Sequence, residues 1–86
     1  MEEEEVGVVV KYFARVGVAA VNIEKGELEV GDTIHIKGHT TDFKQIVESM
    51  QIENKPVDKA KPGDAVGIKV RDRVRANDIV SKVKDA

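Results

Sequence analysis

An all-β fold, closed into a barrel, is predicted by three features of the 86-residue sequence. β-Branched residues alternate with polar ones, turns bearing glycine or proline recur at near-regular spacing, and no stretch sustains a helical period. The alternation and turns fit a barrel or a sandwich. A barrel is favoured because closure removes exposed strand edges, a hazard in a chain so rich in valine.

Six strands are expected. In residues 6–13, Val6, Val8, Val10 and Tyr12 occupy alternate positions and are assigned to one half-buried face. Residues 16–23 form the second strand, kept slim by Gly17, Ala19 and Ala20. After turns at Glu24-Lys25-Gly26-Glu27 and Val30-Gly31-Asp32, residues 33–37 form a third, with Ile34 and Ile36 inward and Thr33, His35 and Lys37 outward. A polar loop, 38–42, leads to a long strand over 43–52. Its apolar parity slips between Phe43 and Val47 on one side and Met50 and Ile52 on the other, which calls for a bulge near Glu48 and Ser49. Residues 54–61 are polar, with room for one helical turn at most. Pro62-Gly63 suits a type II turn, the fifth strand follows at 65–70, and 78–83 supplies the sixth. Residues 1–5 read as an acidic tail, leaving 6–86 as one domain.

Composition excludes several classes. One small core must carry any function, with no room for a second domain. The sequence has no cysteine, so disulfides, thiolate metal sites and cysteine nucleophiles are out. Aromatic residues make up only 3%, a thin supply of stacking platforms for single-stranded nucleic acid. No apolar run approaches the roughly 18 residues of a membrane span, and four glutamates follow Met1 where a signal peptide would be cationic. A cytoplasmic protein with no membrane contact is expected.

The order of turns is more specific than any one of them. The stretch 16–36, VGVAAVNIEKGELEVGDTIHI, places a valine-rich strand before a Glu-Lys-Gly turn, a Gly-Asp turn and another strand. Val47-Glu48-Ser49-Met50-Gln51-Ile52, Lys55-Pro56-Val57 and Pro62-Gly63-Asp64-Ala65-Val66-Gly67-Ile68 then follow at matching distances. Together these resemble domain two of elongation factor Tu and its archaeal and eukaryotic relatives, over residues 6–83. The resemblance implies a six-stranded Greek-key barrel of the kind that packs on a GTPase domain and contacts RNA or the aminoacyl end of transfer RNA. Gln51 stands where the family usually has a glutamate associated with that end, and Val21-Asn22 where it has Gly-Arg, so aminoacyl-end binding is not carried over. No GxxxxGK[ST] loop is present, which excludes nucleotide hydrolysis by this chain alone.

Catalysis finds little support. Ser49, Ser81 and the threonines lack a base and an orienting acid in local sequence. His35 and His39, four apart, would lie roughly 13 Å apart along a strand, too far to share an ion. The sequence therefore predicts no enzyme, no cofactor and no metal. The candidate site is Lys69, Arg71, Arg73 and Arg75, whose alternation in an extended segment would project four cations to one face for phosphate contact. The alternative for these four is a solvated edge with local ion pairs. The expected partner is RNA or a ribonucleoprotein; the other reading is a protein-docking module, accessory to an enzyme such as a peptidase.

Overall fold

The computed structural model describes residues 2–84. Ten strands build it, with no helix among the described residues: β1 (Glu2–Phe13), β2 (Val18–Ile23), β3 (Leu28–Glu29), β4 (Thr33–Lys37), β5 (Asp42–Ile46), β6 (Met50–Ile52), β7 (Lys55–Val57), β8 (Lys59–Ala60), β9 (Ala65–Lys69) and β10 (Ile79–Lys84). Eight form one antiparallel sheet in the order β5-β4-β10-β1-β2-β9-β6-β7, and β3 pairs with β8 beside it. The all-β class holds. The count of six does not, and backbone hydrogen bonds do not close the sheet: β5 and β7 stand at its two ends.

The expected acidic tail is strand. Glu2 to Glu5 pair with Lys84, Val83, Lys82 and Ser81 of β10, and Lys84 Nζ lies 3.2 Å from a Glu4 carboxylate oxygen. Cross-strand lysines offset the repulsion that four adjacent carboxylates would otherwise bring.

β1 does not keep the assigned face. Its register shifts against β10 between Glu5 and Gly7, and against β2 between Val9 and Lys11. Val6 and Val9 are consequently buried, whereas Val10 is 48% exposed. Gly7 lets β2 approach closely, because a Cβ there would clash with the Asn22 carbonyl oxygen.

The parity slip in 43–52 marks a crossing rather than a bulge. The chain leaves β5 after Ile46, and residues 47–49 carry it to β6, which pairs with β9 and β7 in the other half of the sheet. Val47 anchors the crossing: it is fully buried, its N–H donates to Asp32 O, and its carbonyl accepts from Gly31 N, both at 2.8 Å. Residues 54–61 hold no helical turn. Glu53 and Asn54, with φ of 52° and 64°, make a two-residue hairpin between β6 and β7, and β8 follows. The core is aliphatic, with Ile23, Leu28, Ile34, Ile36, Met50 and Ile68 nearly or fully enclosed. Phe43 and Tyr12 pack on it from the rim.

Candidate functional site

Lys69 is the last residue of β9, and beyond it the strand ends. Val70 and Val74 enter the core while Lys69, Arg71, Asp72, Arg73 and Arg75 are all exposed. The chain bends at 71–72, so the four cations do not share one straight strand. Arg75 sits in a separate turn, where its N–H donates to Asp78 Oδ2 at 2.8 Å and Asp78 N–H donates to its carbonyl at 3.1 Å. Lys69 and Arg71 line one groove together.

These two form one wall of a groove of about 580 Å³ whose other wall is β5 and the start of the crossing. Lys44, Gln45, Ile46 and Glu48 come from that side, and Val70 lines the groove between the walls. Gln45 ties the walls together. Its Nε2 donates to Lys69 O at 2.8 Å, and its Oε1 accepts from Arg71 N–H at 2.9 Å. The Arg71 guanidinium donates to Lys44 O at 2.9 Å. A side-chain amide thus takes the place that a neighbouring strand's backbone would hold. Ile46, 57% exposed, adds an apolar surface. The sequence alone gave no sign of Lys44, Gln45 or Ile46, since their role depends on which segment lies opposite β5.

Some surface lysines are paired with carboxylates and others are not. Lys59 lies within 4.0 Å of both Glu27 and Glu29, Lys82 is 3.3 Å from Asp32, and Lys84 is paired with Glu4. Lys44 is 3.8 Å from Glu3. Lys69 and Arg71 have no carboxylate partner within salt-bridge distance among the described residues.

A second groove, of about 570 Å³, lies over β2, β9 and β6, with Phe13, Val16, Val18, Ala20 and Gln51 in its lining. Phe13 and Val16 are 43% and 57% exposed. It is the more apolar surface, and Lys11 Nζ lies 5.1 Å from the Phe13 ring centroid.

The remaining polar cluster draws on three strands. His35 on β4 receives carboxylates at both ring nitrogens: Glu3 of β1 at 2.9 Å from Nδ1, and Asp42 of β5 at 2.5 Å from Nε2. The Asp42 hydrogen bond, then that of Glu3, raises the imidazole pKa above its ordinary value against the opposing effect of burial. The same contact with His35 lowers that of Asp42. With both nitrogens engaged, this imidazole has none left to activate a nucleophile. His39 stands apart on the exposed bend after β4.

A family model described as elongation factor Tu domain 2 matches residues 17–80. The chain is 46% identical over 74 residues to a collagenase of Porphyromonas gingivalis, covering 85% of this chain and 20% of that protein. It is 42% identical over 82 residues to an uncharacterized protease of Methanocaldococcus jannaschii, covering 94% and 20%. The chain therefore spans about a fifth of the length of these curated relatives. Among solved structures, the C-terminal domain of a protein described as a U32 peptidase of Geobacillus thermoleovorans matches with a TM-score of 0.87 at 25% identity, covering 94% of this chain and 93% of that one. Its selenomethionine variant gives 0.84 at 25% identity, covering 90% and 96%.

Proposed function

The chain belongs to the elongation factor Tu domain 2 family, and from that premise we propose that it is a non-catalytic docking module of a U32-type peptidase, acting as an accessory domain or subunit. The observation that carries this reading is the extent of the likeness. It covers nearly the whole of a separately solved C-terminal domain and only about a fifth of the protease relatives. A unit that recurs with its own core beside a larger enzyme fits a role in holding or orienting that enzyme or its substrate. The fold itself does not choose among functions; the protease relatives do, and they favour a protein partner over RNA.

The surface suits that role. Ile46, Phe13 and Val16 expose large apolar side chains, and His35 is committed to two carboxylates. Lys69 and Arg71, first read as phosphate contacts, belong on this account to a protein-facing groove.

The test mixes the purified chain with the peptidase region of a protease relative from which the matching segment has been removed. Association is followed by sedimentation with and without nuclease. A nuclease-resistant complex supports the proposal. If no complex forms while the chain retains RNA at low salt, the translation-type reading replaces it.

A further inference from the structure

The geometry points to the groove between β5 and residues 69–71 as the seat of an extended acidic segment, carrying at least one apolar side chain, from the module's protein partner. This inference rests on the docking reading above and names the surface that performs it.

Charge supports it first. The groove brings Lys44, Lys69 and Arg71 against a single carboxylate, Glu48, in a chain whose formal net charge is −2. Lys59, Lys82 and Lys84 each lie beside a glutamate or aspartate, whereas Lys69 and Arg71 have no carboxylate within salt-bridge distance among the described residues. Unmatched cations lining one concavity raise the local concentration of anions and steer them to it.

The backbone supports it next. Among the described residues β5 is an end strand that pairs with β4 alone, so no strand is laddered along its other edge. The Lys44 carbonyl on that edge is held by the Arg71 guanidinium. An incoming carboxylate offers Arg71 a charged acceptor in place of a neutral one, a stronger bond that would free the Lys44 carbonyl for the segment's own N–H. Extended peptides add to open sheet edges in this manner, with main-chain bonds giving affinity and side-chain pockets giving selectivity.

The lining separates a peptide from a nucleic acid. No aromatic ring lines the groove, so bases would find nothing to stack on. Glu48 would repel a continuous phosphate chain, and the exposed Ile46 asks for an apolar contact that a sugar-phosphate backbone does not provide. An acidic segment with one aliphatic residue needs no stacking partner, meets Ile46, and can space its carboxylates away from Glu48, which a phosphate on every unit of the backbone cannot.

The probes are a fluorescein-labelled peptide of alternating glutamate and valine, the same peptide with lysine for glutamate, and a labelled oligouridylate RNA. Each is titrated with the chain at low ionic strength and followed by anisotropy. The glutamate peptide is expected to bind and the lysine peptide not to. Lys69→Glu is expected to weaken binding roughly tenfold, about 1.4 kcal/mol. Arg71→Glu should act in the same direction, but its bond to β5 also supports the fold, so Lys69→Glu, whose side chain makes no hydrogen bond or ion pair among the described residues, is the deciding variant. The inference is overturned by binding of the RNA without the glutamate peptide, by binding of neither, or by peptide binding indifferent to Lys69→Glu. Association with the peptidase region, measured on the same variants, separates the two levels. If Lys69→Glu leaves that association intact, the groove falls and docking stands. Peptide binding without association removes the docking partner and leaves the groove.

Discussion

Gln45 bonds to Lys69 across a gap that no backbone ladder spans: its Nε2 donates to the Lys69 carbonyl at 2.8 Å. The other end of the same amide accepts from Arg71 N–H at 2.9 Å, so one side chain joins β5 to the opposite half of the sheet. Removing it leaves a donor and an acceptor without their partners, each bond contributing about 0.5–1.5 kcal/mol.

Gln45→Ala should therefore lower stability by about 1–3 kcal/mol. Gln45→Glu should lower it as well, because a carboxylate accepts from Arg71 N–H but donates nothing to Lys69 O. Urea unfolding of the three proteins checks this. Equal midpoints would show that the amide clasp contributes nothing.

His35 sets a pH dependence. Its folded pKa is raised by Asp42 and then Glu3, so the stability it contributes is complete below the ordinary imidazole value of about 6.5 and is lost as pH rises through the folded value. Asp42 is lowered by His35, so its contribution is present above the ordinary carboxylate value of about 3.9 and is lost as pH falls through the folded value. The pair thus supports the fold most between those two ranges. Melting temperatures across mildly acidic to mildly alkaline pH should fall with rising pH in the wild type, and fall less in His35→Gln. Parallel curves would refute the assignment.

Gly38 leaves room for Asp78. A Cβ on Gly38 would lie 2.6 Å from the Asp78 Cγ and closer still to Oδ1, while the 4%-exposed Asp78 side chain accepts from Arg75 N–H. Gly38→Ala is expected to cost about 1–3 kcal/mol through overpacking. In an Asp78→Ala background the same change should cost much less, since the obstructing carboxylate is gone. Additive effects in the double-mutant cycle would contradict the contact.

The β6–β7 hairpin carries local strain. Glu53 has φ of 52°, in the left-handed region that favours glycine and asparagine. Glu53→Asn should raise stability by about 1 kcal/mol. A calorimetric melt that shows no increase would argue against this turn.

The amino-acid order alone announced the β class, because alternation of valine and isoleucine with polar residues is local and has a period of two. It also announced several turns: Gly31 and Gly63 take φ of 100° and 96°, where a glycine backbone is least hindered. What it left hidden was pairing. Val10 appeared to belong inward with Val8, yet bulges at Gly7 and before Lys11 turned Val9 in and Val10 out, and a bulge depends on the neighbouring strand. The glutamates after Met1 looked like a solvated tail until β10 supplied lysines opposite them. The slip between Phe43 and Met50 was visible, but that it carries the chain from β5 to β6 could be decided only by the sheet order.

The same division holds for the groove. Lys69 and Arg71 stood out by their charge and spacing, properties of consecutive residues. Lys44, Gln45 and Ile46 joined them only through a fold that sets residue 45 beside residue 69, 24 positions away. Local periodicity is written in the chain; contact between distant segments arises from burying one shared core, and only the folded molecule decides which surfaces then face each other.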